Sequence, residues 1–163
     1  MAEAFQIDKE NGNTYWADAI AKEMSKAKVA YIPIEGATPE EVRANKVDQL
    51  RGFQEIKCHI IFDVKMDFTW KARFVAGGHM TETPNSLTYS SVVSRESVKI
   101  AFLVAVLNDL DLMSCDIGNA YLNAKCRERI WFVAGAECGP DLQRCVCKLV
   151  RALYGLKSSG AAW

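Results

Sequence analysis

The chain has 163 residues, half of them hydrophobic and a quarter charged, which is a globular and not a disordered composition. Its 20 basic and 20 acidic side chains cancel, which excludes a nucleic-acid binder that is cationic over its whole surface. The charge is unevenly spread: residues 1–42 are net acidic, whereas residues 43–80 and 125–157 are net basic, which leaves room for a locally basic groove in an otherwise neutral chain.

Residues 14–28 are predicted to be a helix, because Trp16, Ile20, Met24 and Ala27 recur at helical spacing and Thr14 or Asn13 can cap the start. Thr38-Pro39-Glu40-Glu41 marks a second helix start, with a cap, a proline in the first turn and acids beside the positive end; that helix is expected to run to about Leu50. From Gln54 to Asp67, apolar Ile56, Cys58, Ile60, Phe62, Val64 and Met66 alternate with mostly charged neighbours, the pattern of one half-buried antiparallel strand. Trp70 to Ala76 alternates again, with Lys71 and Arg73 on one face. The two strands are predicted to form a hairpin turning at Asp67-Phe68-Thr69.

Gly77 to Ser94 reads as a loop. Its Gly77-Gly78 lacks the Lys-Ser/Thr ending of a phosphate-binding P-loop. Ser94 caps a helix that carries Val98, Phe102 and Ala105 at helical spacing and ends near Asn108. Leu112–Ile117, Ile130–Val133 and Cys145–Val150 read as short strands, so the fold class is α+β. The longest apolar run, Ile100 to Leu107, is far below the roughly 20 residues that span a bilayer, and Glu3, Asp8, Lys9 and Glu10 leave no signal-peptide core. The expectation is an intracellular, cytoplasmic chain without a membrane partner. The six cysteines include no Cys-x-x-Cys, and only His59 and His79 could assist a metal site, so reduced thiols are expected.

Three places could carry chemistry. Asp116, at the end of an apolar stretch, can hold a divalent cation, since Mg²⁺ takes one or two carboxylates plus substrate phosphates. The plainer alternative is an acid that caps the next turn. Asp109 and Asp111 read as solvated connection residues. Lys71 and Arg73, about 7 Å apart along a strand, suit a triphosphate as well as an ordinary solvated sheet face. Leu153 to Ser159 is a turn whose Tyr, Lys and Ser side chains can touch a nucleic-acid backbone.

Three ordered stretches together resemble the reverse transcriptase domain of Ty1/copia-type retrotransposon Pol polyproteins. They are Lys71-Ala72-Arg73-Phe74-Val75-Ala76-Gly77-Gly78, Cys115-Asp116-Ile117-Gly118-Asn119-Ala120-Tyr121-Leu122-Asn123, and Leu153-Tyr154-Gly155-Leu156-Lys157-Ser158-Ser159-Gly160-Ala161-Ala162-Trp163. Trp16, Ala19 and Glu23 also suit the family's opening helix.

The resemblance implies the fingers and partial palm of a right-hand polymerase, an antiparallel β-hairpin with packed helices. Residues 1–50 would be an N-terminal helical segment, 51–110 the fingers-like hairpin and helix, and 111–163 the first part of the palm. Asp116 would be a catalytic, metal-binding aspartate, with Ile117 beside it at the metal, for two Mg²⁺ ions in the intact enzyme. Lys71 and Arg73 would grip the triphosphate, Ile117, Gly118, Asn119 and Ala120 would present backbone amides to it, and Tyr121 would stack under the incoming sugar. Gly155, Lys157, Ser158 and Ser159 would position template and primer. The implied partners are an RNA or DNA template with primer, dNTPs and the remainder of the Pol polyprotein, in a virus-like particle.

The family's Y-x-D-D hairpin should follow Trp163, and no such tetrapeptide occurs in these residues. The chain alone is therefore expected to be an inactive piece of an RNA-directed DNA polymerase, with an unpaired sheet edge beside the Asp116 strand. The alternative is a catalytically dead nucleic-acid-binding or interaction module of a decayed element.

Overall fold

The computed structural model describes residues 1–82 and 88–163. Helix α1 (Ala2–Asn11) was not signalled by periodicity; it ends on Gly12 in the left-handed region. Helix α2 (Tyr15–Ala27) buries the predicted stripe of Trp16, Ile20, Met24 and Ala27. Its start agrees with expectation in part. Thr14 makes no capping bond to the backbone, the Asn13 side chain accepts the Tyr15 amide at 3.3 Å, and the buried Asp8 carboxylate accepts from the Trp16 and Ala17 amides at 3.1 and 2.9 Å. These are amides that a helix start leaves without partners.

Strand β1 (Tyr31–Pro33) follows, then helix α3 (Pro39–Arg43) with a complete Thr38–Glu41 capping box. The start agrees with the sequence, but α3 stops far short of Leu50. Asn45 turns left-handed (φ 55°), and Asp48–Leu50 forms a separate 3-10 turn.

The long alternating stretch is two strands, not one. Strand β2 (Gln54–Ile56) pairs in parallel with β5 (Ile130–Val133), while β3 (Cys58–Val64) pairs antiparallel with β4 (Trp70–Ala76) as the expected hairpin. The hairpin turns through Phe68 at φ 59°. Strand β6 (Val146–Leu149) joins β5 and β1, giving a four-stranded sheet in the order β1-β6-β5-β2. Strands from all three expected segments, 1–50, 51–110 and 111–163, join in this sheet.

One core joins α2, the hairpin and one face of the sheet through Ile20, Met24, Ile56, Phe74, Phe132 and Leu149. Tyr31, Phe74 and Phe132 form an aromatic triangle there, with ring centroids 5.4 to 6.1 Å apart. The opposite face, Trp131 and Val146, packs on Val42 and Leu50. Alternation along β5 thus feeds both faces, as the pleat requires.

Helix α4 (Arg95–Leu107) is capped by Ser94, as expected. The helix that covers the hairpin is α2, however, and Val98 and Phe102 of α4 are exposed; only Ala105 is buried. Residues 112–117 form no strand, so the expected strand under Asp116 and the open edge beside it are both absent. Of the predicted loop over 77–94, Gly78–Met80 is a 3-10 turn, 88–94 has no regular structure, and 83–87 lie outside the described residues. The short helix α5 (Ser159–Ala162) ends the chain. Among the described residues, no helix is long and apolar enough to cross a membrane.

Candidate functional site

The site is built on the α2–hairpin contact. Trp16 packs edge-on between Phe62 (4.9 Å) and Trp70 (4.5 Å), and the Glu23 carboxylate accepts the Phe74 amide of β4 at 3.0 Å. These contacts fix α2 beside the outer edge of β4. Against them lies the irregular segment that ends in Asn119, whose left-handed backbone (φ 53°) leads into a 3-10 turn over Ala120–Asn123. Asparagine accepts that conformation better than most residues.

Between these parts opens a cleft of about 390 Å³. Asp116, Ile117, Gly118, Asn119 and Lys71 line it, so the structure brings five of the predicted site residues together. Asp116 is exposed on an irregular segment rather than at a strand end. Arg73 does not line the cleft; it sits opposite Ile61 in the hairpin. Ala120 and Tyr121 lie just beyond it, with the Tyr121 ring 4.8 Å from that of Tyr154, which does line it.

The third predicted stretch interlocks with the first. The Ala76 amide donates to the Tyr154 carbonyl at 2.8 Å. Gly155 holds φ 92°, and a β-carbon there would stand 2.1 Å from the Ala76 oxygen. A β-carbon on Gly78 would stand 2.2 Å from the Gly155 oxygen. Only glycine permits two backbones to approach so closely.

The template-facing expectation for this turn needs correction. Ser158 and Ser159 are each 1 % exposed. Ser158 donates from both its amide (3.0 Å) and its hydroxyl (2.7 Å) to Glu128, and the Ser159 hydroxyl donates to the Leu153 carbonyl. Lys157 donates to the Thr81 carbonyl. These side chains hold the turn from inside, and Gly155 is the exposed residue of the set.

Glu128 is the residue that sequence reasoning missed. It also accepts the Thr81 hydroxyl at 3.2 Å and so ties three chain segments together. An acid between Arg127 and Arg129 looks like ordinary surface.

The basic stretches do not meet at the cleft. Lys65 and Lys71 reach the cleft, but no residue of 125–153 lines it. Arg129 and Lys148 instead flank Phe53, and Arg43 lies over Trp131, on the far face of the sheet. The cleft's other cations, Lys22 and Lys26, come from the net acidic N-terminal segment.

Asp116 and Glu23 are the carboxylates of the cleft, and Glu23 already accepts a backbone amide. Among the described residues no group of three or more metal-ligating side chains converges anywhere. The donor set fits one Mg²⁺ held by Asp116 together with substrate phosphates, and it does not fit a two-ion centre.

All six cysteines are free thiols. Burial pushes the Cys126 thiol up to about 11 and the Cys147 thiol up to about 12, so neither is a ready nucleophile.

No solved structure matches the chain. Residues 44–163, which include β2 to β6, the Asp116 segment and the interlocked turn, match the family model described as reverse transcriptase (RNA-dependent DNA polymerase). A match of that extent, over the same stretches that meet around the cleft, means that this chain belongs to the reverse transcriptase family.

Proposed function

We propose that the chain is the fingers and first part of the palm of a Ty1/copia-type reverse transcriptase, and that its cleft receives a deoxynucleoside triphosphate beside a primed template. One observation carries this reading. Lys71 from the first stretch, Asp116 to Asn119 from the second and Tyr154 from the third line a single cleft, although they are far apart in sequence.

In this reading Lys71 neutralises triphosphate oxygens, with Arg73 further along β4. Asp116 holds Mg²⁺ together with those phosphates. The backbone from Ile117 to Ala120 faces the same anion, and Tyr121 packs against the sugar. Gly155 lies where a template would pass, and the inward bonds of Lys157, Ser158 and Ser159 keep its turn rigid. The remainder of the Pol polyprotein would supply the other palm carboxylates, since these residues contain no Y-x-D-D. The chain alone should not extend a primer.

The test is fluorescence anisotropy of a labelled primer–template with purified chain and Mg²⁺, with and without the matching dNTP. Binding should tighten with the nucleotide, and Asp116→Asn should abolish that gain. Binding that ignores nucleotide would favour a plain nucleic-acid-binding module. Primer extension above the Asp116→Asn background would show that one aspartate suffices.

A further inference from the structure

We propose that helix α2 is part of the nucleotide grip, with Lys22 and Lys26 as triphosphate-binding residues and Glu23 as the residue that positions them. The proposal rests on the reading of the cleft as a nucleotide site and extends it to a helix outside the matched stretch 44–163.

Lys22 and Lys26 are one helical turn apart, so their side chains leave the same face of α2. That face lines the cleft, and Lys65 and Lys71 line it from the hairpin. Four ammonium groups thus share one cleft with two carboxylates. Among the described residues, ion pairs involve only Arg43 and Arg51, so none of the four lysines is paired with an acid. Like charges one turn apart weaken a helix, and two more cations across a cleft add to the repulsion. A polyanion in the cleft removes that repulsion.

The occupant is a triphosphate rather than a nucleic-acid strand. A volume of about 390 Å³ belongs to the small-ligand range of about 300–1,000 Å³. A strand-tracking groove would need a continuous basic path, and three further basic groups, Arg43, Arg129 and Lys148, lie away from the cleft on the far face of the sheet.

Glu23 makes the arrangement precise. Its carboxylate accepts the Phe74 amide at 3.0 Å, between the two lysines in sequence. Phe74 lies three residues after Lys71 on β4. The bond therefore sets the spacing between the lysines of α2 and those of the hairpin.

The experiment is isothermal titration of the full chain with inorganic tripolyphosphate and, separately, with Mg²⁺–dNTP. The pair Lys22→Ala and Lys26→Ala should weaken tripolyphosphate binding about 100-fold, near tenfold for each charged contact. The pair Lys22→Arg and Lys26→Arg should stay within a few-fold of wild type. Lys28→Ala, at the end of α2 and outside the cleft, should change nothing. Should the alanine pair lose helicity, Lys22→Gln and Lys26→Gln, each alone, carry the same tenfold expectation.

An alanine pair that binds like wild type, while Lys71→Ala does not bind, overturns the role of α2 and leaves the nucleotide site standing. Equal weakening by Lys28→Ala would mean diffuse charge and also overturn it. A wild-type chain that binds neither ligand removes the nucleotide reading itself, and this inference with it.

Discussion

Gly78 and Gly155 show how two short stretches become one site. Their backbones meet so closely that a β-carbon on either would collide with a carbonyl oxygen at about 2 Å. Gly155 also holds φ 92°, in the left-handed half of backbone space. Gly155→Ala should therefore lower the unfolding free energy by more than about 2 kcal/mol, combining backbone strain with a clash that has no flexible partner. Gly36→Ala is the matched comparison, because Gly36 has φ 70° but open space around it. Its cost should be about 1 kcal/mol, the strain alone. Urea midpoints of the two variants decide the matter: equal losses would mean that the Ala76 contact is slack. Both glycines of the contact were visible in the sequence as members of recognisable stretches, but their reason was not. That reason lies between residues more than seventy positions apart. Asp8 and Glu128 were invisible for a related cause. Each is an acid that looks solvated until the fold brings backbone amides to it.

At the scale of elements, the strands carry a pH dependence through their thiols. Cys147 of β6 is fully buried and its thiol lies at about 12 instead of the ordinary 9.0, because desolvation penalises the thiolate. Cys126 is raised to about 11 by the same cause, and Cys58 of β3 is raised as well. A raised acid keeps its proton in the folded state after the unfolded chain has lost it. Stability from these groups is therefore complete below about pH 9 and falls as pH climbs through the folded values. Under reducing conditions the melting temperature should drop by roughly 5 °C or more between pH 8 and pH 10.5. The pair Cys126→Ala and Cys147→Ala should show a smaller drop from its own starting point. A drop unchanged in that pair would assign the lability to Cys58, tyrosines or lysines instead.

The same elements show what periodicity can and cannot say. Alternation gave the inward face from Ile56 to Phe62, but Val64 and Met66 of the same set are exposed, and the pattern runs straight through Lys57, where the pairing passes from β5 to β4. A period of two fixes which side chains share a face and says nothing of the neighbouring strand. The Thr38–Glu41 box was legible because its chemistry is local, whereas the early end of α3 depends on Asn45 turning left-handed. Residues 112–117 are apolar enough for a strand but have no ladder to join.

For the molecule as a whole, the candidate site was legible as three separate stretches, and their convergence needed the fold. The contribution of α2 was hidden by charge counting, since two cleft lysines lie in a net acidic segment. Among the described residues, the fold also leaves a large apolar feature without a partner. Along α4, Ile100, Phe102, Leu103, Val106 and Leu107 are each more than half exposed, and Leu110, Leu112 and Met113 continue the apolar surface. Monomeric proteins rarely show a contiguous apolar patch of this kind, because burying it is favourable at roughly 25 cal/mol per Å². The purified chain should therefore self-associate through α4. Light scattering at tens of micromolar, a concentration at which modest apolar interfaces become populated, should give a mass well above 18.1 kDa. Leu103→Glu with Leu107→Glu places two charges on one helical face and should return the mass to the monomer without loss of helicity. The cleft lies elsewhere, so tripolyphosphate binding should survive that change. A wild-type chain that stays monomeric would mean that α4 folds back on the chain's own surface in solution. Association that persists in the double variant would move the contact to another face, with the exposed edges β1 and β2 of the sheet as the places where backbone groups remain open.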